Sequence, residues 1–152
     1  MLEAMKDECL ICLRISEIKD GSNAFFVKEM ETGYVVVGDH QYYLGYTLFL
    51  CKQHVGELHE LDTNFRVQFL KEMSEVAAGV YKTFRPKKLN YELLGNAHPH
   101  LHWHIFPRYE NDPNLNMPIW IVDKKVRNAP STKPTHKQLL KMKDNLLHYL
   151  KQ

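Results

Sequence analysis

Residues 96–108 read Asn-Ala-His-Pro-His-Leu-His-Trp-His-Ile-Phe-Pro-Arg, and this stretch decides the reading of the fold. His100, His102 and His104 share one parity, and Leu101, Trp103 and Ile105 share the other. Successive side chains of a strand point to opposite faces, so the spacing predicts a β-strand over 100–106, with imidazoles over a cleft and an apolar row against the core. With 9 histidines in 152 residues, such an alternating triplet is expected by chance only about 0.03 times per chain. Imidazole ligates metals and, near pH 7, serves as nucleophile or acid–base group. Three imidazolium ions at this spacing would repel one another, so at least some must be neutral, which suits either job. The bland alternative is a set of half-buried histidines satisfied by backbone carbonyls. It is a costly one, since each imidazole buried without a partner costs about 1–3 kcal/mol.

Working outward, residues 89–94 read as a strand before the ladder, and 24–30, 33–37 and 45–50 as three earlier ones. From Asp62 or Thr63, a plausible N-cap, Phe65, Phe69, Met73, Val76 and Val80 mark one long amphipathic helix ending before Pro86. Residues 111–134 are rich in Pro and Asn and read as irregular. Thr135 and Gln138 match a capping box, followed by a stripe of Leu139, Met142, Leu146 and Leu150. The expected architecture is an α+β fold in one domain over 1–152: a mainly antiparallel five-stranded sheet, one long central helix and a C-terminal helix.

Composition narrows the function classes. A hydrophobic fraction of 44% and a charged fraction of 25% fit an ordinary globular domain. Twenty Lys plus Arg against 18 Asp plus Glu argue against binding long nucleic acid or a membrane surface. No apolar run approaches the roughly 18 residues of a membrane span. The charged Met1–Glu8 stretch lacks a secretory signal's apolar core, and three cysteines cannot all pair within the chain. A cytoplasmic setting is expected.

His100-Leu101-His102-Trp103-His104-Ile105-Phe106 resembles the signature of the histidine-triad (HIT) family of nucleotide hydrolases and transferases, His-φ-His-φ-His-φ-φ with φ apolar. Gly45-Tyr46-Thr47-Leu48-Phe49-Leu50, followed by Lys52 and His54, resembles the family's Gly-His-Thr-Leu-x-x-Pro-Lys-x-His strand. Ile105-Phe106-Pro107-Arg108 resembles its usual exit. These blocks follow family order over 9–109, while 110–152 match no motif.

The resemblance implies a HIT-like fold, a homodimer and a nucleotide hydrolase. Its reaction would cleave a phosphoanhydride or phosphoramidate at the α-phosphate, as in a dinucleoside polyphosphate or a nucleoside phosphoramidate, through a covalent nucleotidyl-histidine. His102 would be the nucleophile, and His104 the hydrogen-bond donor or acid beside phosphate and leaving group. His100 would either hold the tautomer of His102 or bind metal. Asn96 and Gly95 would approach the phosphate. Asn90 would contact phosphate and Asp39 the ribose, each at a spacing one residue shorter than the family's. A uridylyltransferase branch carries Gln in place of the third histidine, so His104 favours hydrolysis. The alternatives are a nucleotidyltransferase with the same covalent step and a zinc-stabilised, non-catalytic nucleotide-binding module.

Cys9-Leu10-Ile11-Cys12 has the spacing of half a tetrahedral zinc site, or of two partly buried thiols. Some bacterial HIT proteins begin this way, and that resemblance implies a structural Zn2+ on Cys9, Cys12, His54 and His100. His98 extends the ladder to four and is an alternative to His100 as ligand, although Pro99 would turn it away. Cys51 stands where the family commonly has Pro and reads as a buried strand residue. His40, His59, His136 and His148 are expected at the surface. The stretch with Pro118-Ile119-Trp120 and Lys124-Lys125-Val126-Arg127 either closes over the site or makes an ordinary surface excursion.

Overall fold

A computed structural model describes residues 9–151; the charged segment 1–8 read above lies outside the described residues. Five strands, β1 (Phe26–Glu29), β2 (Gly33–Val37), β3 (Thr47–Cys51), β4 (Lys88–Glu92) and β5 (His102–Arg108), form one sheet in the order β1-β2-β3-β5-β4. Every neighbouring pair is antiparallel. Among the described residues four helices accompany it: α1 (Leu10–Asp20), α2 (Thr63–Phe84), α3 (Lys124–Arg127) and α4 (His136–Leu150). The α+β class, the long central helix and the C-terminal helix match the sequence expectation.

The alternation in the sequence becomes two packed faces. Val35, Val37, Phe49 and Ile105 pack against Phe69, Val76 and Val80 of α2 and Leu139, Met142 and Leu146 of α4. Tyr34, Val36 and Leu50 meet Ile11 and Ile15 of α1 on the opposite face. This is why 33–37 reads as a continuous apolar run: both faces of β2 are covered. Asp62 caps α2 by accepting from the amide of Asn64, and α2 ends at Arg85, whose φ of 50° breaks the helix before Pro86. The capping box of Thr135 and Gln138 starts α4. A Cβ at Gly79 would lie 2.7 Å from Leu150 Cδ2, so the missing side chain lets α4 close onto α2.

Two features depart from the expectation. The segment 10–20 is a helix that sequence reading did not foresee, capped by Cys9, whose Sγ accepts from the amide of Cys12 at 3.4 Å. The ladder strand also starts at His102 rather than at 100. The His100 amide donates to the His98 carbonyl at 2.8 Å, forming a tight turn around Pro99, while Leu101 pairs its amide with Val55 and its carbonyl with Cys51. His100 therefore stands outside the strand that carries His102 and His104.

Candidate functional site

That displacement of His100 divides the ladder between two sites. The first is a cluster of Cys9, Cys12, His54 and His100, whose candidate ligand atoms all lie within 4.8 Å of one another. Cys12 Sγ is 3.1 Å from His54 Nδ1 and 3.4 Å from His100 Nδ1, and Cys9 Sγ is 3.5 Å from His100 Nδ1. A tetrahedron with metal–sulfur bonds of about 2.3 Å and metal–nitrogen bonds of about 2.0 Å has S···N edges of about 3.5 Å. The four side chains thus have the separations of ligands around one ion. His100 Nε2 faces the carbonyl of Cys51 at 2.8 Å. A carbonyl only accepts, so Nε2 carries the hydrogen and Nδ1 presents its lone pair to the cluster, the outer-shell bond expected of a ligating histidine. His98 is not part of this cluster and instead borders the cavity described next.

The second site is a cavity of about 490 Å³, within the roughly 300–1,000 Å³ range of small-molecule sites. His102 and His104 border it from β5, with their rings 4.7 Å apart. His102 is 5% exposed, and its Nδ1 lies 2.6 Å from the carbonyl of His100. By the same logic Nδ1 carries the hydrogen, which leaves Nε2 with a lone pair. Burial lowers the pKa of His102 against the opposing effect of that hydrogen bond. Burial, the His102 ring and the Arg127 charge together hold His104 down to about 3, so it is neutral near pH 7.

Among the remaining predicted residues, Gly95, Asn96 and Asp39 border the cavity. Gly95 has a φ of +72°, a conformation that suits glycine in the turn facing the histidines. Asp39 bonds to Arg14, which α1 brings to the same cavity. Asn90 does not join them: its Oδ1 accepts from Arg108 at 2.9 Å, and it does not border the cavity. Cys51 is fully buried in β3, with burial raising its thiol pKa to about 11. His40 is not a surface bystander, since it borders the cavity and pairs with Thr132 Oγ1 at 3.0 Å. His59, His136 and His148 are exposed.

Sequence reasoning missed Tyr46. Its hydroxyl lies 2.6 Å from His104 Nδ1, and its ring stacks on Phe106 at 4.1 Å. The signal was present in the motif block, where tyrosine replaces the signature's histidine. The 118–128 segment closes on the cavity rather than straying over the surface: Trp120, Lys124, Arg127 and Asn128 all border it.

The sequence profile of the HIT domain matches residues 20–111. The chain belongs to the HIT family. Its superfamily includes nucleotide hydrolases, and its members bind nucleotides. This HIT protein shares its fold with a histidine triad protein of Bradyrhizobium japonicum at 22% identity, with a TM-score of 0.72 over 89% of this chain and 95% of that one. A zinc-bound histidine triad family protein of Mycobacterium smegmatis is 18% identical, with a TM-score of 0.66 over 96% and 95% of the two chains. A diadenosine triphosphate hydrolase of Plasmodium falciparum is 14% identical, with a TM-score of 0.57 over 84% and 77%. No curated protein matches the sequence significantly. Among the described residues of this HIT protein, no helix is long and apolar enough to cross a membrane.

Proposed function

We propose that this HIT protein is a nucleotide hydrolase that works at the α-phosphate through a covalent intermediate on His102. The observation that carries the proposal is the 2.6 Å hydrogen bond from His102 Nδ1 to the His100 carbonyl, which leaves an unprotonated Nε2 at the edge of a nucleotide-sized cavity. Such a nitrogen needs no separate base. Its lone pair attacks the α-phosphorus, an N–P bond forms, and the bond to the leaving group breaks with its electron pair on the departing atom. Water then attacks phosphorus, the N–P bond breaks, and the nucleoside monophosphate departs. His104 is the donor to the reacting phosphate, and the amides near Gly95 and Asn96 face its oxygens. Asp39 holds the ribose hydroxyls. The occupied Oδ1 of Asn90 argues for a supporting part behind Arg108 instead of phosphate contact.

The metal held by Cys9, Cys12, His54 and His100 is proposed to be zinc, since two thiolates and two imidazoles suit its borderline-soft character. A closed four-ligand site supplies rigidity: it ties α1, and with it Arg14, to the segment whose carbonyl orients His102. The family resemblance also supports a homodimer and a cytoplasmic setting, and light scattering of the purified protein tests the former.

The deciding experiment incubates the protein with α-32P-labelled nucleotide, quenches it, and follows acid-labile label on the chain. Label and turnover are expected in the native protein and absent in His102→Ala. Turnover surviving in His102→Ala would overturn the covalent mechanism, and product consistently carrying an added acceptor in place of water would identify a transferase.

A further inference from the structure

The segment leading out of β5 is tied down by one buried side chain. Arg108, 1% exposed, donates to the carbonyls of Asn114 at 2.7 Å and Met117 at 2.8 Å, and pairs with Asp112 at 3.0 Å. Ile119 follows, fully buried against Tyr43 and Phe106. Trp120 then lies edge-on to His104 with ring centroids 5.9 Å apart, and its indole nitrogen donates to Glu92, the residue opposite His104 in the β4–β5 register. Arg127 folds back so that its guanidinium sits 4.7 Å above the Trp120 ring, with Nε donating to the Val122 carbonyl at 2.9 Å. Lys124 completes this wall of the cavity.

Among the described residues the cations of the wall form no ion pair, although the Glu92 carboxylate lies within reach of the Arg127 charge. Arg14, the cavity's third cation, is bonded to Asp39, and the Glu92 carboxylate receives Trp120. Among the described residues neither Lys124 nor Arg127 forms an ion pair. Two unpaired cations flanking a partly enclosed cavity attract negative charge, and a planar guanidinium fixed over an indole presents its remaining N–H groups in the geometry phosphate oxygens accept.

We propose that Trp120, Lys124 and Arg127 form a leaving-group subsite that takes the phosphate chain beyond the scissile bond. The preferred substrates are then nucleotides whose leaving group is a polyphosphate, rather than phosphoramidates that release a neutral amine. The inference rests on the hydrolase reading above and sharpens its substrate class. In the first step His102 Nε2 bonds to the α-phosphorus while the bond from phosphorus to the bridging oxygen breaks. The electron pair stays on that oxygen, which leaves as part of a phosphate-chain anion beside Lys124 and Arg127. An anion departs without needing a proton, which accords with the neutral His104; an amine would require one.

The test uses the metal-loaded full chain carrying His102→Ala, so that nucleotides bind without turnover, and measures the affinities of AMP, ADP and ATP by calorimetry. ATP is expected to bind about tenfold more tightly than AMP, with ADP between them. In Lys124→Ala/Arg127→Ala the ATP advantage falls to about twofold or less, while Arg127→Lys retains most of it. Equal affinities for AMP and ATP, or an advantage that survives the double substitution, would overturn the subsite and leave the hydrolase reading standing. If no nucleotide binds at all, both fall.

Discussion

The hydroxyl of Tyr46 lies 2.6 Å from Nδ1 of His104, so the two cavity-facing histidines are held in opposite senses: His102 donates from Nδ1 and His104 accepts there. Burial raises the phenol's pKa well above its ordinary value, keeping the proton available to donate, and Nδ1 is the hydroxyl's one described partner. His104 consequently carries its hydrogen on Nε2, as its proposed part as a donor to phosphate requires. Tyr46→Phe keeps the stacking on Phe106 but removes this restraint. A kcat about tenfold lower is expected, equivalent to roughly 1.4 kcal/mol of transition-state stabilisation, with KM little changed. Tyr46→His, the residue of the HIT signature, restores a donor and most of the rate. Steady-state kinetics of the three proteins check this.

Cys9, Cys12, His54 and His100, proposed to hold zinc, bring α1 to the segment that orients His102. One zinc per chain is expected by elemental analysis of the purified protein, and Cys12→Ser should lose it. Chelation is expected to lower the thermal midpoint by at least about 5 °C, because ligand binding to the folded state is folding free energy. Activity should fall with it, since His100 supplies both a candidate ligand nitrogen and the carbonyl that holds His102. A Cys12→Ser protein that retained full zinc would remove Cys12 from the site.

Arg108 is a buried cation whose described hydrogen-bond partners are all supplied by the sheet or the following loop. Arg108→Met would remove the ion-pair partner of Asp112 and strand the Asn90 amide oxygen and two carbonyls. A loss of about 3–5 kcal/mol in urea-denaturation stability is expected. Limited proteolysis should then cut within 110–130, where the native chain resists.

Acidification should destabilise the protein through His104. Its folded pKa of about 3 lies below the ordinary value of 6.5, so between these limits the unfolded state binds more protons. The contribution is complete above pH 6.5 and is lost progressively as pH falls toward 3. His102, Arg127 and the Tyr46 hydroxyl surround the ring, and the first two add to the penalty for charging it. Thermal midpoints of zinc-loaded native and His104→Gln proteins, compared from pH 8 to 4, should show the steeper decline in the native protein. Parallel curves would remove His104 as the source.

Much of the fold was legible because its signals are local. Alternation read over 100–106, the apolar stripe from Phe65 to Val80 and the Thr135–Gln138 box each depend on the period of one element or the geometry of one cap. The helix at 10–20 was not legible, since the exposed Leu10 and Leu13 blur the buried stripe of Ile11 and Ile15, and its N-cap is a cysteine rather than Ser, Thr, Asp or Asn. The chemistry of the ladder showed in its residue types. Its division did not, because the tight turn at Pro99 breaks the alternation that the spacing implied.

By itself the sequence determined the five strands, the two long helices and the presence of paired cysteines and alternating histidines. Only the tertiary structure decided that His100 turns to the cysteines while its carbonyl holds His102, that Tyr46 governs His104, and that Trp120 and Arg127 wall the cavity. The physical reason is sequence separation. Cys9 and His100 stand 91 residues apart and Tyr46 and His104 58 apart, and such contacts have no local periodicity to announce them. They are set by strand register and by which groups burial leaves in need of a hydrogen-bond partner.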